Sequence, residues 1–556
     1  MGLVISARSK QHETEDARSG CPAEGERRRF GRTGGDVVQI TQFLRRAVQT
    51  RGQHIATEYE GRARTWREFE GRVAALAGAL GALGYKPGDR IGMLSLNSDR
   101  YLEYFFAMAW GGFVFVPINT RLAAPEIAFW LTDSGCSGLF IDDAFLPALG
   151  DFRSHAPDLR HIVRVGGGDA PPGILAFEDL VATGAPIADA GRRGDDLAGI
   201  FYTGGTTGRS KGVMLSHRNI LANALNCAAE FEFDEDTVFL HAAPMFHLAD
   251  GAATFLATAA GGKHVFAPRF EPGLFLETVA RLGVTHSLCV PTMINLVIHN
   301  PNVTHTDTSS LTTMFYGASP MPESIIRRAL EVLPHTRFVQ AYGQSEAAPC
   351  MTFLPRECHV VEGPKAARLK SAGRAALGCE VRIHDENDNE VPRGVVGEIC
   401  GRGDNVMLGY WNQPELTART LRNGWLHTGD GGLMDEDGFL YVVDRMKDMI
   451  ISGGENVYSA EVEQAIYQHR DVAECAVIGI PDEQWGEIVH AVVRPKPGTS
   501  PTAEAIIAHC RALIANYKCP RSIAIRDEPL PVSGAGKILK TELRRPYWAG
   551  KDRAVN

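Results

Sequence analysis

Apolar residues recur along the first part of the chain at intervals that predict a helix and its two ends. Thr65 and Glu68 form the signature of a capping box, which marks a helix start. The apolar positions after it keep the spacing of one helix face: Phe69, Val73, Leu76, Leu80 and Leu83. Gly84 and Pro87, which follow, are typical of a helix end. We therefore predict a helix between the capping box and Gly84.

Strand and helix patterns then alternate along the chain. The predicted elements are a strand at 90–96, a helix at 98–110, a strand at 113–117, a helix from Pro125 and a strand near 139–141. Such an alternation predicts an α/β fold, in which doubly wound, mostly parallel sheets carry helices on their faces. The chain therefore begins a large α/β domain.

The pattern changes near residue 380. Short apolar runs at 381–385, 396–401 and 439–443 are separated by glycine, asparagine and aspartate turns. These runs predict a smaller β-rich unit over about residues 380–445. A compact α+β pattern follows to the end of the chain, and we expect it to form a second, smaller domain.

The first residues differ in composition from the rest. Residues 1–36 hold many Arg, Glu and Ser and few large apolar side chains, so they cannot bury enough surface to offset the entropy of ordering. We therefore predict a flexible arm at 1–36, a large N-terminal domain at 37–446 and a C-terminal domain at 447–556.

Composition excludes several classes of function. The chain has 556 residues, with 44% hydrophobic and 22% charged positions, which suits several globular packing units. Its net charge of -9 argues against a nucleic-acid partner, which needs a basic face. No signal peptide and no apolar run of transmembrane length is found. The 11 cysteines show no C-x-x-C pair and no metal-ligand spacing, so we expect reduced thiols and a cytoplasmic location.

A loop rich in glycine and threonine is the strongest local signal. It follows an apolar strand at 200–203 and ends at Lys211. Glycines let backbone N–H groups approach phosphate oxygens, hydroxyls add donors and the lysine adds charge. It is not a Walker A loop, because Ser210 stands where a glycine must precede the lysine. The candidate phosphate-binding residues are Thr203, Gly204, Gly205, Thr206, Thr207, Gly208 and Lys211.

This loop resembles the signature loop of the adenylate-forming superfamily, which includes acyl-CoA synthetases, firefly-type luciferases and peptide-synthetase adenylation domains. Further motifs follow in the family's order, so the resemblance covers about residues 40–545. The family usually has proline at the position of Ser210 and often serine at that of Gly204. The resemblance implies an enzyme that joins AMP from ATP to a carboxylic acid.

Two further segments resemble the family's nucleotide site. From YGQSE at 342–346, the resemblance implies that Tyr342 stacks on adenine, that Gly343 and Ser345 contact ATP, and that Glu346 holds Mg²⁺ together with Thr203. Oxygen ligands of this kind suit a hard cation. From YGASP at 316–320, it implies that the chain passes the adenine with Gly317, Ala318 and Ser319.

Three motifs near the second domain complete the resemblance. WLHTGD at 425–430 implies that Asp430 accepts hydrogen bonds from the ribose hydroxyls, and DRMKD at 444–448 implies that Arg445 also reaches the ribose. Lys447 is implied to be the hinge about which the C-terminal domain rotates between two half-reactions. PVSGAGK at 531–537 implies that Lys537 stabilises charge at the α-phosphate during adenylation.

The resemblance also implies sites for coenzyme A and the acid. SGGE at 452–455 implies a channel for coenzyme A formed by Ser452, Gly453, Gly454 and Glu455. His247 is implied to adjust when the thiol enters. The residues implied to line the acyl site are His247, Ala252, Val290, Gly317 and Ala341. The catalytic candidates are Lys537, Thr203, Glu346 and His247.

We therefore expect an ATP-dependent carboxylic acid:CoA ligase that uses ATP, Mg²⁺ and coenzyme A. Small residues at 251–253 and the lack of a recognisable cation nearby favour a medium or long-chain fatty acid, or else an aryl acid. An enzyme that loads a carrier protein and a luciferase-like oxygenase stay open as alternatives. A non-catalytic nucleotide or acyl-AMP sensor would be expected to lack Lys537 or Glu346. A homodimer is also left open.

Overall fold

The computed structural model describes residues 39–203, 210–319, 321–445, 448–452, 455–482, 484–533 and 537–549. The arm predicted at 1–36 lies outside these residues. So does the hinge candidate Lys447, and the domain boundary there therefore stays a prediction.

Strands of the described residues fall into four sheets. In chain order they are β1 (Ile55–Tyr59), β2 (Arg62–Thr65), β3 (Arg90–Leu94), β4 (Val114–Pro117), β5 (Cys136–Ile141), β6 (His161–Arg164), β7 (Leu175–Ala176), β8 (Leu197–Thr203), β9 (Lys211–Ser216), β10 (Val238–His241), β11 (Lys263–Phe266), β12 (His286–Leu288), β13 (Thr313–Gly317), β14 (Arg337–Gly343), β15 (Cys350–Leu354), β16 (Arg374–Ala375), β17 (Cys379–His384), β18 (Gly397–Gly403), β19 (Gly409–Tyr410), β20 (Leu421–Arg422), β21 (Trp425–Met434), β22 (Leu440–Arg445), β23 (Ile450–Ser452), β24 (Glu455–Val457), β25 (Val472–Asp482), β26 (Gly486–Pro495) and β27 (Ser522–Ile525).

Helices alternate with these strands through most of the chain. In chain order they are α1 (Thr41–Arg51), α2 (Trp66–Ala82), α3 (Asp99–Gly111), α4 (Ala124–Asp133), α5 (Leu149–Arg153), α6 (Phe177–Thr183), α7 (His217–Phe231), α8 (Leu248–Ala260), α9 (Pro272–Leu282), α10 (Pro291–Ile298), α11 (Glu323–Val332), α12 (Pro414–Thr420), α13 (Ser459–Tyr467), α14 (Ala503–Arg511) and α15 (Lys540–Trp548).

Two large, mostly parallel sheets form the N-terminal part. The nine-stranded sheet has the order β16-β15-β14-β13-β12-β10-β11-β1-β2, and the eight-stranded sheet has the order β19-β9-β8-β4-β3-β5-β6-β7. Strands β10 to β14 pair in parallel, and so do strands β3, β4, β5, β6 and β8. Antiparallel strands lie at both edges of the nine-stranded sheet and at the β19 edge of the eight-stranded sheet, whereas β7 pairs in parallel at its other edge. The predicted fold class is confirmed.

Helices between the two large sheets build the main core. Phe105 on α3 lies 5.7 Å from Phe255 on α8 between ring centroids, and Phe115 on β4 contacts both rings. All three side chains are fully buried. Burial of one such ring contributes about 1.5–3 kcal/mol, so this cluster fixes α8 firmly between the sheets. The start of α8 is therefore held at a defined place.

Two smaller sheets follow, as the sequence predicts. Strands β17, β18, β20, β21 and β22 form an antiparallel sheet with its own apolar core. Strands β23 to β27 form the last sheet, which packs on α13 and α14 over a separate core. These two units correspond to the β-rich region and the α+β module.

Local predictions in the first domain are confirmed with small shifts in their bounds. The hydroxyl of Thr65 accepts from the N–H of Glu68, and the Glu68 carboxylate accepts from the N–H of Thr65, so the capping box is formed. Helix α2 starts at the next residue, Trp66, and its apolar stripe is buried. Hydrogen bonds between Thr65 and Glu68, three positions apart, thus fix the start of α2.

Candidate active site

Carboxyl ends of parallel strands form one edge of the nine-stranded sheet. Strands β13 and β14 run in register with Gly317 beside Ala341. Val290 is the N-cap of α10 and follows β12, which pairs in parallel with β13. Ligands of open α/β sheets bind outside such strand ends. Three of the residues predicted to line an acyl site therefore share one edge.

Gly317 lies too close to the next strand for a side chain. A Cβ atom there would be 2.2 Å from the carbonyl oxygen of Ala341, a backbone atom that cannot rotate away. The next residue, Ala318, has φ of +67°, a left-handed conformation that is enriched at ligand-binding sites. Both features fit a strand end that turns sharply beside a ligand.

We expect Gly317→Ala to destabilise the protein by roughly 1–3 kcal/mol, because the added methyl group must displace backbone. Gly71→Ala on α2 is the matched control. Its Cβ would meet no atom within 4 Å, and alanine favours a helix over glycine by up to about 1 kcal/mol. Denaturant midpoints of the two variants measure the effect, and equal midpoints would contradict the steric reading.

Tyr342 and Asp430 meet although 88 positions separate them. The Tyr342 hydroxyl donates to Oδ2 of Asp430 at 2.9 Å. Asp430 also stands opposite Arg445 in the antiparallel pairing of β21 with β22. The structure therefore brings together the predicted adenine and ribose residues, while the side chain of Arg445 lies outside the described part.

Glu346 is a buried carboxylate with a tyrosine partner. It is 8% exposed, and its Oε1 accepts from the Tyr410 hydroxyl at 2.7 Å. Burial, followed by the negative charge of Glu346, raises the pKa of Tyr410 above its usual value, so the phenol stays a donor. Ser345 and Glu346 share a short 3₁₀ turn that directly follows β14. An oriented, ionisable oxygen ligand thus lies at the same sheet edge.

One of the phosphate-loop candidates, Lys211, lies near the tyrosine that binds the Glu346 carboxylate. Thr203 ends β8 and pairs with Lys211, the first residue of β9, so the two flank the loop. The ammonium of Lys211 lies 5.3 Å from the centroid of the Tyr410 ring. The intervening glycines and threonines (204–208) are outside the described residues. Lys211 is therefore near the ring whose hydroxyl holds Glu346.

His247 is a partly buried residue on which two positive charges act. It is the N-cap of α8, and its Nε2 is buried with no hydrogen-bond partner among the described residues. Burial, together with the charges of Lys537 and Arg121, lowers the pKa of His247 to about 3. Nη1 of Arg121 also donates to the Ser533 carbonyl at 3.2 Å. The loop of the C-terminal module that ends at Lys537 is thus docked on Arg121 of the large domain, and the charge of Lys537 acts on His247.

The cations that act on His247 do not belong to the segment of α8 on which the acyl-site prediction rests. Ala252 on α8 is buried, and the segment 251–253 itself carries no charge. The positive groups come from distant segments, through Arg121 and Lys537. Sequence inspection of α8 alone could not find them.

We expect His247 to be neutral at every pH between about 5 and 9, since its lowered pKa lies below that range. The pH profile of kcat/KM for acid activation should then contain no inflection from His247. His247→Gln should raise KM for the acid and leave the profile unchanged. A titration near neutral pH that disappears in His247→Gln would contradict this expectation. Any contribution of this buried neutral imidazole to folding stability falls as pH drops from about 6.5 towards 3.

Comparison with known families decides the class. The sequence profile of the AMP-binding enzyme family matches residues 44–411, and that of the AMP-binding enzyme C-terminal domain matches residues 461–537. The first match alone covers more than half of the chain. This chain belongs to the AMP-binding enzyme family. The homologues of this chain include CoA ligases, and acyl-adenylate-forming ligase activity is supported for it.

Named relatives of this AMP-binding enzyme agree in length and fold. A feruloyl-CoA synthase of Amycolatopsis sp is 40% identical over 88% of this chain and 96% of its own. A fatty acid–[acyl-carrier-protein] ligase, ScoC of Streptomyces coeruleorubidus, is 35% identical over 94% and 98%. The crystal structure of ATP-bound MatB from Rhodopseudomonas palustris superposes with a TM-score of 0.83 at 30% identity, covering 92% of this chain and 99% of MatB.

The predicted coenzyme A segment of this AMP-binding enzyme lies on the last sheet. Ser452 on β23 is buried and pairs with the exposed Glu455 on β24, while Gly453 and Gly454 are outside the described residues. No hydrogen bond or ion pair between described residues joins Ser452 or Glu455 to His247 or Asp430. The structure places this segment in the same sheet as β26 of the C-terminal module.

Sequence inspection missed Tyr410 and Arg121. Tyr410 stands in an aromatic pair, Tyr410-Trp411, after a glycine, which is a signal that could have marked a fixed aromatic turn. Arg121 has no local signal, because its partner carbonyl is 412 positions away. Helices of the described residues include none that is long and apolar enough to cross a membrane.

Proposed function

We propose that this AMP-binding enzyme activates a carboxylic acid with Mg-ATP and then transfers the acyl group to coenzyme A. The observation that carries the proposal is that Arg121 of the large domain donates to the Ser533 carbonyl of the loop that ends at Lys537, while the charges of Lys537 and Arg121 both act on His247. A cation that the second domain supplies near His247 fits the adenylation half-reaction. The relatives with related activities support it.

In the first step, a carboxylate oxygen of the acid attacks the α-phosphorus of ATP, and the bond to the bridging oxygen of pyrophosphate breaks. Lys537 stabilises the charge that develops on the α-phosphate oxygens, as a preorganised donor in a partly dry site. Thr203, Lys211 and the glycine loop between them (204–208) hold the other phosphates. Most of the catalysis is therefore positioning and electrostatics.

The nucleoside contacts follow from the motif residues at the sheet edge. Tyr342 stacks on adenine beside Gly343 and Ser345, and Asp430 accepts from the ribose hydroxyls with help from Arg445. The turn at Gly317, Ala318 and Ser319 lies along the other side. The hydrogen bond between Tyr342 and Asp430 supports this assignment, because it holds base and ribose ligands in one unit.

Glu346 and Thr203 are the proposed protein ligands of Mg²⁺. A carboxylate and a hydroxyl are oxygen donors that fit a hard cation, which keeps its other positions for phosphates and water. When bound, Mg²⁺ neutralises phosphate charge. Tyr410 fixes the carboxylate of Glu346 through its hydrogen bond.

Tyr410→Phe is expected to raise the Mg²⁺ concentration needed for half-maximal activity by roughly ten- to a hundredfold, because second-layer partners orient metal ligands. Titration of the adenylation rate with Mg²⁺ measures this shift. Tyr517→Phe, at an exposed tyrosine of the second domain, is the control. An unchanged Mg²⁺ requirement in Tyr410→Phe would contradict the role of Tyr410 in orienting the Glu346 carboxylate.

In the second step, the thiol of coenzyme A attacks the acyl carbonyl and AMP leaves. We propose that the C-terminal domain rotates about Lys447 so that Ser452, Gly453, Gly454 and Glu455 line the thiol channel. A neutral His247 then moves aside for the thiol.

For the acid we propose an apolar body, either an aryl acid or a medium or long-chain fatty acid. The residues Gly251, Ala252 and Ala253 on α8 are small and buried, and none of them carries a charge. The relatives named for ferulate and for fatty acids support both classes. A cytoplasmic location and a homodimer stay predictions, and the ten described cysteines form no disulfide, which suits a reducing compartment.

The experiment that tests this function measures AMP and pyrophosphate release over ferulic, cinnamic, benzoic, fatty and amino acids, each with and without coenzyme A. We expect an acyl-CoA product with AMP in equal amounts for one apolar class. Pyrophosphate exchange without any product dependent on coenzyme A would instead favour a carrier-protein acceptor, as in the relative ScoC. No ATP turnover with any acid would favour a sensor.

A further inference from the structure

A cluster of two histidines and a cysteine lies in the β-rich sheet, outside the proposed nucleotide and acyl contacts. In the pairing of β17 with β18, His384 stands opposite Glu398, two residues before Cys400. In the pairing of β18 with β21, Cys400 stands opposite His427. Residues two apart on a strand share a face, so the register places all three side chains on one face.

The three side chains offer ligand atoms within 4.8 Å of one another. His384 is 3% exposed, Cys400 is 0% and His427 is 5%, so the cluster is shielded from solvent. Sγ of Cys400 lies 3.3 Å from Nδ1 of His427. In a tetrahedral Zn²⁺ site with ordinary bond lengths the ligand atoms are about 3.3–3.8 Å apart, so a contraction of about 1 Å by side-chain rotation suffices.

Two of the imidazole nitrogens have no hydrogen-bond partner in the part of the chain that the structure describes. Nδ1 of His384 and Nε2 of His427 are both buried and accept or donate no hydrogen bond among the described residues. A buried polar atom left unpaired costs about 1–3 kcal/mol. Two such atoms in one small cluster therefore destabilise the folded state, and they point to a ligand that pairs with both.

A carboxylate already orients His427 as metal-binding histidines are usually oriented. Nδ1 of His427 lies 2.8 Å from Oε2 of Glu398 as well as 3.3 Å from the cysteine Sγ of the cluster, so Nε2 is the nitrogen left for a metal once the thiolate turns towards it. Oδ1 of Asp388 lies 3.7 Å from that Nε2, although Asp388 also accepts from Arg422 and Asn423. The cluster thus has three ligands and a carboxylate beside a fourth, open position.

We propose that His384, Cys400 and His427 bind one Zn²⁺ ion that clamps β17, β18 and β21 together. Two imidazoles and a thiolate form a borderline-soft set that suits Zn²⁺ and not the Mg²⁺ assigned to Glu346. Binding deprotonates the Cys400 thiol, and the proton passes to solvent. Since Asp430 lies three residues after His427 on β21, the ion would stiffen the strand that carries the ribose ligand.

The test is metal binding by the full-length protein, freed of metal with a chelator and then titrated with Zn²⁺ in competition with a chromophoric chelator. We expect one Zn²⁺ per chain and a higher unfolding temperature in its presence. Co²⁺ in place of Zn²⁺ should give a sulfur-to-metal charge-transfer band and the visible bands of a tetrahedral site, which report directly on a thiolate ligand.

Variants separate this site from adventitious binding. Cys400→Ser should abolish the charge-transfer band, and His384→Asn should weaken Zn²⁺ at least tenfold. Cys379→Ser, on the same strand as His384 but outside the cluster, should keep wild-type binding. No Zn²⁺ uptake by the wild-type protein, or uptake that Cys400→Ser and His384→Asn leave intact, would overturn the proposal. The wild-type Co²⁺ spectrum decides the case even if a variant fails to fold.

Discussion

Lys537→Ala is expected to slow formation of the acyl-adenylate by roughly 10²–10³-fold, a loss of about 3–4 kcal/mol of transition-state stabilisation. The reason is that Lys537 is the proposed donor to the α-phosphate, and its charge acts on the predicted acyl-site residue His247. An alanine removes this charge but leaves the nucleotide contacts at Tyr342 and Asp430 in place. ATP binding should therefore change much less than kcat.

Two half-reactions measured separately give the test. Pyrophosphate exchange reports the adenylation step, and conversion of synthetic acyl-AMP with coenzyme A reports the thioester step. We expect Lys537→Ala to lose only the first. Lys496→Ala, at an exposed lysine of the same module, should retain both. Equal losses in both half-reactions would mean that Lys537 acts through folding or docking and not through charge.

Glu346→Gln is expected to lower the adenylation rate by roughly a hundredfold, about 3 kcal/mol, because a neutral amide is a poor ligand for Mg²⁺. Glutamine keeps the size of the side chain and can still accept from Tyr410, so the fold around it should persist. The rate should recover in part at high Mg²⁺ concentration. This recovery distinguishes a lost metal ligand from general damage.

The matched control is Glu362→Gln, which changes an exposed glutamate. Adenylation rates for both variants are compared over a Mg²⁺ series, with unfolding temperature as the check on structure. A Glu346→Gln enzyme with the wild-type Mg²⁺ dependence would contradict the assignment of Glu346 as a metal ligand.

Local interactions explain what the sequence could predict of the fold. The helix after Thr65 is specified by a capping box and an apolar stripe within eighteen residues, and both are formed. The strands and helices predicted between residues 90 and 141 likewise depend on local periodicity and differ from the predictions only at their ends, whereas α1, β1 and β2 are not among the predicted elements. The bounds shift because strand ends are set by neighbouring strands, which the local pattern does not contain.

Contacts between distant segments explain what could not be predicted. Tyr410 acts on Glu346 from 64 positions away, and Arg121 meets Ser533 only when the second domain docks. Neither residue belongs to a motif used to find the site. Motif residues such as Asp430 could be named, but the hydrogen bond from Tyr342 to Asp430 required the folded sheets.

The cluster of His384, Cys400 and His427 has no signal along the sequence, because its three members come from three different strands. Antiparallel register, and not spacing along the chain, brings Cys400 opposite His427. A search by strand pairing would have been needed to find this cluster.

The most direct test of the central claim follows a labelled oxygen through the reaction. An acid that supports turnover is labelled with an oxygen isotope in its carboxylate and is converted with ATP and coenzyme A. The masses of AMP and pyrophosphate are then measured by mass spectrometry. Attack of the carboxylate on the α-phosphorus predicts that AMP gains one labelled oxygen and that pyrophosphate gains none. Unlabelled AMP, or label in inorganic phosphate released with ADP, would contradict an acyl-adenylate mechanism in this protein.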